Sequence, residues 1–223
     1  LWTMALSLKV FGINALALRL PSVLLSSLAI WLVFLVGRML YAEKIGAIAA
    51  LFCSINGLVI ELSAGRVATE HIDVFFFVLV LISVYYVLKN KISQKRYYLI
   101  FAGVFCGLAI LTKWLPALII LPIYVVLNLK NKTTRAILFD LSLIIIAAII
   151  IALPWQLYAY NYFTKEYLWS QHFNYLHFTE GLDGHGQAWW YFLDKIRITV
   201  NEFIYFALIL LIYYNIKNRL RAN

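Results

Sequence analysis

From Val74 to Leu88 the chain carries no charge, and from Ala136 to Leu153 Asp140 is the only charge. Segments of that length and composition cross a bilayer as helices. Seven can be placed, at about 19–36, 45–62, 72–88, 97–111, 115–127, 136–153 and 198–216. Only 13% of the residues are charged and 64% are hydrophobic, whereas a soluble domain has about a quarter charged. Alternating ten-residue strands are absent, which argues against a barrel. The expected fold is therefore an all-α integral membrane protein, a multi-spanning helical bundle forming a single transmembrane domain over 1–223. The fourth and fifth segments are short for a bilayer, which tilt or a thinner local bilayer accommodates.

The net charge of +9 reads as a topology signal rather than as nucleic-acid binding, because basic loops stay in the cytoplasm. Arg38/Lys44, Lys89/Lys91/Lys95/Arg96, Lys130/Lys132/Arg135 and Lys217/Arg219/Arg221 all fall on one side when seven spans alternate. The other side receives Arg19, the polar stretch before Val74, Lys113, the 154–194 connection and all four histidines. The chemically capable residues thus collect on the non-cytoplasmic face. Asn131-Lys132-Thr133 matches a glycosylation acceptor but lies on the cytoplasmic side, so it is discarded. Cys53 and Cys106 fall in apolar runs without metal-type spacing and read as packing residues.

The densest polar stretch is Gly65 to Asp73, where Arg66, Glu70, His71 and Asp73 lie within eight residues. Asp73 sits about one turn inside an apolar segment. A carboxylate there costs about 2 to 3 kcal/mol unless it is paired, ligated or facing a wet cavity. A binding or catalytic site offsets such a cost. So, more simply, does a helix start, where acids favour the first turn and Thr69 or Asp73 caps it.

Lys113 sits beside Trp114 at the end of the fourth segment. The pair reads either as an interfacial anchor or as a point charge for a phosphate or pyrophosphate. Arg19 either snorkels or binds an anionic headgroup. Residues 1–12 read as a short interfacial helix in which Thr3 and Ser7 share a face, followed by a turn at Phe11-Gly12-Ile13-Asn14. Pro21 is expected in a first turn, Asn56-Gly57 softens the second segment, and Pro154-Trp155 ends the sixth. The 154–194 connection is a long aromatic non-cytoplasmic loop, read as closing over a substrate. His172, His177 and His185 lie in it, spaced five and eight apart, which is not a zincin pattern.

In this order, the Phe-Gly turn with Arg19-Leu20-Pro21-Ser22, Gly37-Arg38, Arg66 with Asp73, Gly107-Leu108-Ala109 with Thr112-Lys113, Leu153-Pro154-Trp155, His172 and Gly184-His185-Gly186 with Trp190-Tyr191 form a recognisable series. It resembles the dolichyl-phosphate-mannose-protein mannosyltransferase-like glycosyltransferases of the GT-C type. Their bacterial branch includes the enzyme that moves 4-amino-4-deoxy-L-arabinose onto lipid A. The resemblance implies a multi-spanning enzyme that takes a sugar from a polyprenyl-phosphate donor to a glycan, lipid or protein acceptor. It implies the inner (plasma) membrane, with the active face non-cytoplasmic. By the resemblance Asp73 matches a second acidic residue of the site, and Lys113 matches the lysine of a Thr-Lys motif. The family's main catalytic carboxylate lies in a first outer loop ahead of the stretch that 1–12 resembles. The chain is accordingly expected to be a partial copy without that acid and without the family's C-terminal part.

The sequence-level assignment is a polyprenyl-phosphate-sugar-dependent glycosyltransferase. Asp73 is its catalytic residue, and Lys113, Arg66 and Arg19 face the donor phosphate. Glu70 and His71 give polar support, and His172, His177 and His185 belong to the substrate loop. No cofactor is certain and a divalent metal ion is left open. The alternatives are a transporter or lipid flippase, which would show broken mid-membrane helices and an internal repeat, or a non-catalytic relative.

Overall fold

The computed structural model describes residues 2–64, 70–180, 188–200, 204–206, 208–209 and 212–213. Residues 1–55 and 59–164 form one compact unit, and 56–58 with 165–223 form another. Among the described residues every regular element is helical.

In the first unit, helix α1 (Trp2–Phe11) leads through a turn into α2 (Ala15–Leu40). Asn14 caps α2, its side chain accepting from the Ala17 N–H at 2.8 Å, which satisfies one of the orphan donors of a helix start. The helix thus begins well before Pro21, which lies inside it rather than in its first turn. A proline cannot donate to the carbonyl four residues back. That carbonyl belongs to Ala17, and the Ser7 hydroxyl of α1 donates to it at 2.5 Å in a buried contact. The polar face expected on α1 therefore compensates the proline of α2.

Helices α3 (Glu43–Ser54) and α4 (Gly57–Ala64) are separated by the Asn56-Gly57 break and bent by 54°. Then follow α5 (Glu70–Ser93) and α6 (Tyr97–Lys113), a 3₁₀ turn (Leu115–Ile119), α7 (Ile120–Asn128) and α8 (Thr134–Tyr162). Helices α5 and α6 are antiparallel neighbours across a short connection, tied by the buried Ser83 hydroxyl donating to the Ala102 carbonyl at 2.7 Å. Val87, Leu99, Ala102, Cys106, Ile120, Tyr124, Ile137, Ile144 and Ala148 form the main core. Between lipid-facing helices the apolar effect gives little drive, so close packing must hold them. Helix α6 supplies this with Gly103 and Gly107 on one face. A Cβ on Gly103 would run into the Ile144 carbonyl of α8, and one on Gly107 would lie 2.7 Å from the Ala148 carbonyl.

Among the described residues three helices are long and apolar enough to cross a membrane: Ala15–Leu40, Ile72–Ser93 and Thr134–Tyr162. The bent α3–α4 pair makes a fourth if taken as one span. This is fewer than the seven segments expected. Helix α6 has 17 residues, about 25 Å at 1.5 Å per residue, against a hydrocarbon core of about 30 Å. The segment 115–127 opens in the 3₁₀ turn and is shorter still. The seventh segment, 198–216, lies largely outside the described residues. Pro154 does not end the sixth segment, since α8 continues through it to Tyr162.

The second unit contains α9 (Thr164–Thr179) and α10 (Trp189–Val200). In α9 the rings of Trp169 and Phe173 stack at 5.4 Å, and in α10 the Lys195 ammonium lies over the Tyr191 ring at 5.0 Å. Most of the 154–194 stretch is thus helix rather than an open loop. Its aromatics lie one turn apart and can pair along a helix face.

Candidate active site

Asp73 is the fourth residue of α5 and Lys113 the last of α6. The antiparallel packing of these helices brings the start of one to the end of the other. Below them Leu79, Ala109 and Ala117 are buried, with Phe75, Phe76, Phe105 and Leu108 packed around them. This apolar plug fixes the two helix ends side by side. Across it the Lys113 ammonium donates to the Asp73 carboxylate, closing an ion pair between positions 40 apart. The Asp73 side chain is 25% exposed and that of Lys113 48% exposed, so the pair sits at a wet rim rather than in the core.

Each charge also stands where its helix favours it. Acids are stabilised at a helix N-terminus and cations at a C-terminus, each by about 0.3 to 1 kcal/mol. The helix-start reading and the site reading of Asp73 therefore coexist.

The backbone leaves α6 sharply after Lys113. Trp114 has φ 60° and ψ −135°, a left-handed conformation costing a bulky residue about 1 to 3 kcal/mol. Its N–H donates to the Ile110 carbonyl at 2.8 Å, and the 3₁₀ turn starts at the next residue. This abrupt exit leaves Lys113 at the helix rim instead of burying it under a further turn. The neighbouring Thr112 hydroxyl donates back to the Leu108 carbonyl at 2.8 Å, so in this structure it serves the helix.

The structure thus brings together Asp73 and Lys113 of the expected set. Arg19 is exposed in the second turn of α2, and no contact among the described residues joins it to the pair. His172 is exposed on α9. Arg66 and His185 lie outside the described residues, as do the side chains of Glu70, His71 and His177. Among the described residues no group of three His, Cys, Asp or Glu side chains gathers as metal ligands would.

A second polar cluster was missed at sequence level. Asp140 of α8, 2% exposed, accepts from the Tyr124 hydroxyl at 2.6 Å, from Lys132 Nζ at 2.7 Å and from Arg96 Nε at 3.3 Å. The signal was available: Asp140 is a carboxylate in an apolar run, the argument already applied to Asp73. Arg96 precedes the first residue of α6 and Lys113 is its last. The two clusters are accordingly about 25 Å apart along that helix.

A sequence profile described as dolichyl-phosphate-mannose-protein mannosyltransferase matches residues 1–156. Three curated relatives are named for the same activity. The undecaprenyl phosphate-alpha-4-amino-4-deoxy-L-arabinose arabinosyl transferase 1 of Pseudomonas fluorescens (strain Pf0-1) is 27% identical over 210 residues, 87% of this chain and 35% of that protein. The corresponding transferase of Pseudomonas aeruginosa (strain UCBPP-PA14) is 28% identical over 209 residues, 88% of this chain and 36% of that protein. That of Pseudomonas savastanoi pv. phaseolicola (strain 1448A / Race 6) is 28% identical over 208 residues, 87% and 37%. The chain spans about a third of the length of these relatives. No solved structure matches it.

Proposed function

The chain belongs to the dolichyl-phosphate-mannose-protein mannosyltransferase family, and from that premise we propose that it forms part of a membrane glycosyltransferase using a polyprenyl-phosphate sugar. The Lys113–Asp73 pair at the rim of the bundle carries this reading. Relatives named as undecaprenyl-phosphate aminoarabinose transferases support the donor class.

In the proposed reaction the anomeric carbon loses its bond to the phosphate oxygen and gains one to the acceptor hydroxyl oxygen. The polyprenyl phosphate leaves with the bonding electron pair. Lys113 turns its ammonium to the phosphate and stabilises the charge that develops there. An oxygen of Asp73 then accepts the proton of the acceptor hydroxyl. Held against each other beforehand, the two charges wait desolvated only in part, so exchange of partners costs little. No step is routed through a metal.

This reading has the reaction on the non-cytoplasmic side of the inner membrane. The pair lies at the end of α6 opposite Arg96 and Lys132, which belong to basic clusters that favour the cytoplasm. Seven crossings fit this orientation if α6 and the 115–128 segment cross tilted or in a thinner bilayer. In this reading Arg66 and Arg19 serve the donor phosphate, Glu70 and His71 give polar support, and His172, His177 and His185 belong to the substrate loop. A transporter reading draws on the bent α3–α4 pair, since broken spans line transport paths.

The test is label transfer from radiolabelled undecaprenyl-phosphate aminoarabinose in native membranes holding the protein. Covalent label in lipid, protein or glycan is expected, and its loss in Asp73→Asn with normal membrane insertion. Wild-type rates in Asp73→Asn overturn the assignment of that residue. Movement of label across the bilayer without covalent transfer establishes the transporter reading instead.

A further inference from the structure

At the end of α6 away from Asp73 and Lys113, a cavity of about 590 Å³ is lined by Gln94, Arg96, Asn131, Lys132, Ala136 and Asp140. Its chemistry follows from which hydrogen-bonding groups are already used. Lys132 Nζ donates to Asp140 at 2.7 Å, to the Tyr124 hydroxyl at 3.0 Å and to Asn90 Oδ1 at 3.4 Å, which occupies all three of its protons. The Asp140 carboxylate receives three donors and is neutralised by them. Arg96 is the exception. Its guanidinium donates through Nε to Asp140 and lies over the Phe139 ring at 4.8 Å. Among the described residues its Nη donors make no bond, and its side chain is 61% exposed. Asp140 and Phe139 therefore hold a planar fork in place with its outer edge unspent, the arrangement suited to a phosphate.

Two cations against one carboxylate leave the lining with a net positive charge, and Lys95, Lys130 and Arg135 stand exposed in sequence beside it. An anion is thus favoured over a cation. The surroundings favour a lipid over a soluble anion. Ile92, Tyr97, Ile100, Leu138 and Phe139 present exposed apolar side chains on the helices that bear the cavity. These suit acyl chains, and the amides of Gln94 and Asn131 suit a hydroxylated head.

We propose that this cavity binds the headgroup of an anionic phospholipid, with the phosphodiester on Arg96. Basic pockets between helices at a membrane surface are built to take such headgroups. The bound lipid bridges α6 to α8 and joins the polar cluster that fastens the bundle at this end.

The experiment is native mass spectrometry of the detergent-solubilised protein with phosphatidylglycerol, phosphatidylcholine or inorganic phosphate added. It is paired with thermal melts under the same conditions. Wild-type protein is expected to retain phosphatidylglycerol about tenfold better than phosphatidylcholine and to melt higher with it. Arg96→Gln removes the fork. Asn131→Asp puts a carboxylate in the cavity without touching the Asp140 cluster, and so decides the matter if Arg96→Gln fails to fold. Both are expected to lose the preference while retaining phosphatidylcholine as before. Equal retention of both lipids by wild type, or a preference intact in Asn131→Asp, overturns the proposal. So does inorganic phosphate raising the melting temperature as much as phosphatidylglycerol at equal concentration, which would make the site one for a free anion.

Discussion

The Lys113 ammonium donates to the Asp73 carboxylate across the junction of α5 and α6, so the last residue of one helix answers the first turn of its neighbour. The pair joins the two helix ends through their side chains. The apolar plug of Leu79, Ala109 and Ala117 beneath them keeps the two ends in register.

Because the two act on one transfer step, their losses should not add. Lys113→Met and Asp73→Asn are each expected to lower transfer by about 10² to 10³. The double variant should lose much less than the product of the two. Initial rates of label transfer for the four proteins check this. Additive losses would show that the pair does not work as a unit.

Breaking the opposite cluster should be a matter of stability rather than chemistry. Asp140→Leu leaves Lys132 half-buried and Arg96 without their carboxylate, at a cost of about 3 to 5 kcal/mol. Asp140→Leu combined with Lys132→Met should recover part of that loss. Thermal melts in detergent measure both. A single variant that melts as wild type would show that water already screens the cluster.

At Gly103 helices α6 and α8 approach so closely that an added Cβ would run into the Ile144 carbonyl. Gly103→Val is expected to push the helices apart and cost about 1 to 3 kcal/mol. The same change at Gly57, whose added Cβ would meet nothing within 4 Å, should be far milder in packing terms. Comparison of the two melting temperatures tests whether contact or backbone preference sets the effect.

Local features were legible in the sequence where one residue type decides the backbone. The turn at Gly12 lies where it was expected, with Asn14 capping α2 after it, and at Asn56-Gly57, expected only to soften the second segment, the helix breaks. Asp73 stood out because a charge inside an apolar run requires a reason, and Lys113 stood out as a cation beside Trp114 at a helix end. What stayed hidden was long-range. Pro21 and Pro154 look like helix ends, yet both lie inside helices. For Pro21 the reason lies in another element, since Ser7 of α1 takes up the carbonyl it abandons. The helix over 164–179 was masked by its even scatter of aromatic and polar residues, which shows no apolar face. The Asp140 cluster needed Arg96, Tyr124 and Lys132 to arrive from three separate stretches.

The contact between Ser7 and Ala17 bears on folding. A buried carbonyl left unmet costs about 1 to 3 kcal/mol, and Pro21 leaves α2 with one that only α1 meets. Helices α1 and α2 together are therefore the smallest piece of this chain in which that carbonyl is satisfied. A folding intermediate that holds α2 without α1 would carry that carbonyl open to water or to a wrong partner.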